Sequence, residues 1–193
     1  MVHSIVPLAV LEAVRNLDTP VEDGLTEFAD ELLVKRFGLS STVQTQLAEF
    51  EQLVRKDARV EPAHVEALLR LVGRRPDAEL VFADAGRRAA RKAVKRSAGL
   101  VKLFRHVAAR RAARAVLGAD LAWEQRLPVA RVSDPIAIQA TPDGSACGFY
   151  GAALVELLRL LVGYEGAMLH ESCRARGGNG CEWRASAPDP RHQ

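Results

Sequence analysis

The chain has 193 residues, 48% apolar and 26% charged, with a formal net charge of +3. That suits one globular domain with an extension, or two small ones, with enough apolar residues for a sizeable core. No apolar run reaches the roughly 18–20 residues of a membrane span, residues 1–17 lack the basic start of a signal peptide, and the small net charge names no polyanionic partner, so a cytoplasmic globular protein is expected.

Residues 7–17 predict a short helix, with Leu8, Leu11 and Val14 at helical spacing and Pro7 in its first turn. Asp18-Thr-Pro20 breaks it. A second helix is expected over 21–37, with Leu25, Phe28, Leu32 and Leu33 on its apolar face and Gly38 as C-cap. Ser40 or Ser41 caps a third, to about 56, carrying Val43, Leu47, Phe50 and Val54. Glu61-Pro62 opens a fourth, to about 72, with Val65, Leu68, Leu69 and Val72 buried. Residues 1–74 thus read as an all-helical N-terminal extension, suited to homodimerisation. A helix-turn-helix over 32–55 is the alternative. Its second helix would present Thr42, Gln44, Thr45, Gln46 and Glu49 but no Arg or Lys before Arg55, so nucleic acid is not the expected partner.

Arg74-Arg-Pro76-Asp77 marks a boundary. A helix follows over 78–96, with Leu80, Val81, Ala85, Ala89 and Val94 near its inner side, and a second segment over 100–117. Eleven basic residues from Arg87 to Arg114 crowd these two segments. They read either as a solvated face or as an anion-attracting cluster. Phe104 is the one aromatic residue among them, which disfavours a surface for stacking single-stranded bases.

After Gly118 the pattern changes to short β-branched runs bounded by Pro128, Pro135 and Pro142. Residues 129–133 and 136–140 are expected as strands, and 122–125 could be another. Thr141-Pro-Asp-Gly144 is a turn, 149–162 a strongly apolar helix ended by Gly163, and 167–175 with 181–187 a hairpin. Strands bracketing a helix imply an α+β fold, an antiparallel sheet packed with helices on one face. The tail from 188 to 193 is polar and expected to fray.

All three cysteines lie between 147 and 183, with His170 among them. Thiolates and imidazole are the usual ligands of a closed tetrahedral zinc site. His170 and Cys173 are three apart, so a twisted or bulged strand end could turn both to one ion. A hairpin over 174–180 would return Cys181 beside Cys173, and Cys147 would arrive from across the intervening helix. There is no CxxC pair, and the C-x25-C-x7-C spacing is not that of a zinc finger. Buried structural cysteines, or a Cys173–Cys181 disulfide, are the other readings.

The motifs Cys147-Gly-Phe-Tyr-Gly151, Gly163, the Cys173 strand and Gly177-Gly-Asn-Gly-Cys181-Glu-Trp183 resemble the 4-vinyl reductase domain family, and Ala85-Gly86-Arg87 is similar to the family's opening helix. The resemblance spans residues 75–187 and is most specific in its last forty. It implies an α/β sandwich of the kind also found in TRAPP-type trafficking subunits and in the sensor domains of phenol-responsive activators. It also implies a structural zinc held by Cys147, Cys173 and Cys181. His170 stands where those sensors have a glutamate, and Glu171 is a competing ligand or an acceptor beside the site.

By the same resemblance the domain binds a hydrophobic or aromatic small molecule in a pocket near the metal. The candidate lining residues are Phe82, Phe104, Trp123, Phe149, Tyr150 and Tyr164. The expected role is a sensor or carrier. The alternatives are a TRAPP-like assembly scaffold and an accessory protein of tetrapyrrole (bacteriochlorophyll) metabolism. No GxGxxG follows a strand, no Walker A sequence is present, and a Cys3His zinc has no open position, so an enzyme is not expected.

Overall fold

The computed structural model describes residues 1–19, 40–96 and 104–186. The helix expected over 21–37 with its Gly38 cap, the start of the 100–117 segment and the tail from 188 lie outside them. Strand β1 (Val2–His3) leads into helix α1 (Ile5–Asp18). Helix α2 (Ser41–Arg55) follows, its first turn capped by the Ser40 hydroxyl, which accepts from the Val43 N–H at 3.3 Å. Strand β2 (Arg59–Val60) pairs with β1 and precedes α3 (Pro62–Gly73). Helix α4 (Ala78–Arg96) and helix α5 (Arg105–Ala112) come next, and α5 continues into a wider π turn, Ala113–Leu117. Gly118, at φ +63°, ends it in the left-handed region that suits glycine.

Strands β3 (Asp120–Glu124) and β4 (Leu127–Val132), a short helix α6 (Ile136–Ala140), helix α7 (Cys147–Val162) and strands β5 (Met168–Ser172) and β6 (Cys181–Ala185) complete the chain. The sheet is antiparallel in the order β3-β4-β6-β5. Helices pack on one of its faces, so the fold is α+β as expected.

Residues 136–140 are the exception to the expected elements: they form a helix, not a strand. Ile-Ala-Ile alternates like a strand, but Pro135 holds the extended conformation of an N-cap, and its carbonyl accepts from the Ile138 N–H at 2.9 Å. Thr141 then closes the turn, donating from both its N–H and its hydroxyl to the Ala137 carbonyl at 2.8 Å. A five-residue apolar run has too little period to separate the two outcomes.

One apolar core runs through α1, α3, α4, α5, α7 and the inner face of the sheet. Its centre is the crossing of α4 and α7, where Gly86 lies so close to α7 that a Cβ there would strike the Phe149 carbonyl and the Ala153 nitrogen. This core includes residues on both sides of the boundary expected at residue 74, and a smaller cluster of Leu8, Leu11, Val43 and Leu47 joins α1 to α2. Arg75, within the motif read as that boundary, clamps the end of α1 to the start of α4. It donates to Asp18 at 2.7 and 3.2 Å and to Asp77 at 2.8 and 2.9 Å. Ile5, Val6, Val10 and Val14, in the segment read as suited to dimerisation, are buried inside this chain.

The basic residues of α4 are largely spent on internal ion pairs. Arg88 meets Asp84, Arg91 meets Glu156, Lys92 meets Glu12 and Arg96 meets Asp57, at 2.6–2.8 Å. Among the described residues, no helix is long and apolar enough to cross a membrane.

Candidate metal centre

Strand alternation sets the geometry of the site. On the inner face of the sheet, Leu121, Ala130, Trp183 and His170 lie side by side across the four strands. One strand register later, Cys181 pairs with Val132. A bulge between His170 and Ser172 shifts β5 by one position against β6. That shift lets two residues three apart, His170 and Cys173, address one point, as a bulged strand end was expected to do. The chain then turns through a 3-10 turn, Arg174–Arg176, and Gly177 at φ +86°, with the Cys173 carbonyl accepting from the Arg176 and Gly178 N–H groups at 2.9 and 3.0 Å. This brings Cys181 back to Cys173.

Cys147 comes from the opposite side. It is the first residue of α7, and its N–H donates to the Gly144 carbonyl at 2.9 Å. Gly144, at φ +82°, lays the 141–144 turn directly on the sulfurs, since a Cβ there would stand 3.5 Å from the Cys173 sulfur and 3.8 Å from that of Cys147. Thr141 holds this turn: its hydroxyl accepts from the Ala146 N–H at 3.1 Å while donating to Ala137.

The result is a group of four. One ligand atom from each of Cys147, His170, Cys173 and Cys181 lies within 4.8 Å of every other. The three cysteines are free and buried, so the Cys173–Cys181 disulfide is not formed. The Cys173 and Cys181 sulfurs are 3.9 Å apart, close to the about 3.8 Å separating two thiolates on one tetrahedral ion with metal–sulfur bonds of about 2.3 Å. His170 Nε2 is buried without a hydrogen-bond partner. A buried imidazole nitrogen left unpaired beside three thiols fits a metal ligand, because coordination would satisfy it.

Burial, then the neighbouring Cys181 and Cys173, pushes the Cys147 thiol well up. Burial raises Cys181 too, against a lowering hydrogen bond from the Arg174 backbone. The imidazole of His170 is pushed down by burial and by the charge of Arg176, against a raising hydrogen bond with the Ser172 backbone. Ion binding would therefore displace thiol protons. Glu171 does not compete for the ion. It points to the outer face of the sheet, where it accepts from Arg184 at 2.9 Å.

Three aromatic rings carry the site into the core. His170 lies flat on Trp183, with centroids 4.4 Å apart and planes 7° apart, and Tyr150 stacks on the same indole at 5.5 Å. Phe149 meets Tyr150 edge to face. Burial raises the pKa of the Tyr150 hydroxyl well above the ordinary phenol value, against a lowering pull from the backbone of Ala137 and Ile136 at the start of α6.

Phe149 and Tyr150 also wall a cavity of about 430 Å³, within the size range of small-molecule sites. Its apolar lining includes Leu69 of α3, Val116 and Leu117 of the π turn, and Ile136 and Ala137 of α6. Its polar groups are His3, Arg59, Arg114, Asp134 and Gln139. The sequence offers no signal for His3 and Arg59, because only the β1–β2 ladder, which pairs His3 with Arg59, sets them beside α6 and α7.

The other four residues expected in a pocket do not line this cavity. Phe82 is fully buried in the core face of α4. Phe104 is 59% exposed ahead of α5. Trp123 packs under α5, with His106 at its edge and Arg110 over its face. Tyr164 ties the end of α7 to the sheet, its hydroxyl donating to the Ser186 carbonyl at 2.5 Å.

No family model matches the chain, and no curated protein matches it. Among solved structures it is similar to the crystal structure of an H-NOX protein from S. oneidensis in the Fe(II)NO ligation state. The TM-score is 0.46 and the identity 12%, over 85% of this chain and 97% of that one.

Proposed function

We propose that the protein is a small-molecule-binding module, a sensor or carrier, in which Cys147, His170, Cys173 and Cys181 hold a structural zinc ion beside the ligand cavity. One observation carries the reading: the first turn of α7 serves both features. Cys147 belongs to the four-ligand group, and Ala146, Phe149 and Tyr150 line the cavity. Three thiols and an imidazole suit zinc, and four protein donors leave no open position, so the ion acts as a cross-link between a helix start and a strand end. The resemblance of residues 75–187 to the 4-vinyl reductase domain family supports the same assignment.

Native mass spectrometry of the untagged, full-length protein tests it. The expected result is one zinc per chain together with a releasable organic molecule. A metal-free protein that melts unchanged after Cys173→Ser overturns the zinc assignment. A zinc-loaded protein that takes up no small molecule turns the reading from sensor or carrier to an assembly role.

A further inference from the structure

The cavity has a directional chemistry. Its floor is apolar and closed, with Phe149 and Tyr150 each 4% exposed. Its charged lining groups stand at the solvent end: Arg59 is exposed, and Arg114 and Asp134 keep 76% and 67% of their side-chain surface. Asp134 is engaged by Arg174 at 2.8 Å. Arg114 has a loose pairing with Asp120 at 3.2 Å, in full solvent contact, which competes weakly with an incoming anion. Arg59 has no carboxylate partner among the described residues, its guanidinium donating only to the Met1 carbonyl at 3.4 Å. His3, the other basic side chain of the lining, is buried with Asp57 at 3.0 Å; burial, helped by Arg96 and Arg59, lowers its pKa against the pull of Asp57. Arg59 and Arg114 are thus the lining side chains available to an incoming anion.

Building on the ligand-binding reading above, we infer that the cavity takes an amphipathic carboxylic acid, its apolar body against Phe149 and Tyr150 and its carboxylate at Arg59 and Arg114. An arginine fork suits a planar carboxylate, accepting it through two parallel N–H donors. A neutral ligand of the same shape would gain the apolar floor and leave the two rim arginines to water.

The test uses matched pairs on the zinc-loaded, full-length protein: decanoate against decanamide, and 4-phenylbutyrate against 4-phenylbutyramide, by titration calorimetry at low salt. In at least one pair the acid is expected to bind about tenfold tighter than the amide, a difference of about 1.4 kcal/mol. Arg59→Gln combined with Arg114→Gln is expected to erase that preference while leaving amide affinity unchanged; both positions are exposed, so folding is checked by an unaltered melting curve. Equal affinity of acid and amide, or a preference that survives the double substitution, overturns the carboxylate inference and leaves the ligand-binding reading standing. Failure of all four probes to bind overturns both.

Discussion

The two faces of the four-stranded sheet are built by the same strands and held by opposite physics. Along β6, Cys181, Trp183 and Ala185 face the helices, while Glu182 and Arg184 face solvent. The inner set forms a stacked aromatic ladder that ends in the four-ligand group. The outer set forms an ion-pair lattice: Arg131 meets Glu124 and Glu182 at 2.7 and 2.8 Å, and Arg184 meets Glu124, Glu171 and Glu182 at 2.8–2.9 Å. The lattice looks richer in bonds, yet it stands in water, where each pair gains little over hydration and salt screens it. The inner face has fewer polar contacts but is dry, so every atom removed there is felt. Bond counts and energetic weight therefore run in opposite directions across one sheet.

The largest expected break of this contrast is at the metal group. Cys173→Ser, or exhaustive chelation of the wild type, should remove the ion and lower stability by about 4 kcal/mol or more, the contribution of a ligand held at about a thousand times its Kd. Metal analysis alongside a thermal melt checks it; a chelated protein with an unchanged melt would show that the thiols are packing residues only. Next comes Trp183→Ala, which empties the centre of the stack and should cost about 3–5 kcal/mol by denaturant titration. Because His170 loses the surface it lies on, metal affinity should fall as well.

Gly86→Ala tests whether the helix crossing behind the inner face is as tight as it stands. Alanine in a helix interior ordinarily gains about 1 kcal/mol over glycine. Here the clash with α7 should reverse the sign and leave a net loss of about 1–3 kcal/mol. A stabilised variant would mean the two helices part at no cost.

Glu156 gives a pH-dependent test. It is buried on α7 between Arg159 and Arg91, and hydrogen bonds from both arginines, Arg159 foremost, hold its carboxyl below the usual range. A depressed folded pKa means the stabilisation is present above the unfolded value and is lost as pH falls through the folded one. Melting of Glu156→Gln should therefore lie below wild type at neutral pH, with the gap closing once the pH drops below the carboxylate range. The smallest effect is expected on the outer face. Arg184→Ala removes three ion pairs at once, yet should lower the melting temperature only slightly, by a margin that shrinks at about 0.5 M salt. A loss rivalling that of Trp183→Ala would dissolve the contrast between the faces.

Much of the helical layer was legible in the residues. The apolar spacing of 78–96 predicts α4 at its observed bounds, and of the two serines expected to cap α2 it is Ser40 that does so. The four residue types of the candidate metal group were legible, and the structure brings their ligand atoms together; the sequence left buried cysteines and a disulfide open beside a metal site. Illegible were the pocket walls. Phe82, Phe104 and Tyr164 are aromatic like Phe149 and Tyr150, and Trp123 lines a different recess with His106, Val107, Arg110 and Arg126; nothing in an aromatic residue tells which void, if any, its side of the element faces. The outer lattice was equally hidden, because Glu124, Arg131, Glu171 and Arg184 become neighbours only through strand register.

By itself, then, the sequence determined local choices: most of the helical segments, where turns fall at Gly144, Gly163 and Gly177, and which side chains could serve as metal ligands. These follow from backbone sterics and donor atoms, which act within a few residues. Tertiary structure alone decided that α1 shares a core with α4 and that β1 brings His3 and Arg59 to the cavity. It also fixed where the expected strand irregularity falls, between His170 and Ser172. Those outcomes depend on register and helix crossing, where a shift of one residue sends a side chain to the opposite face.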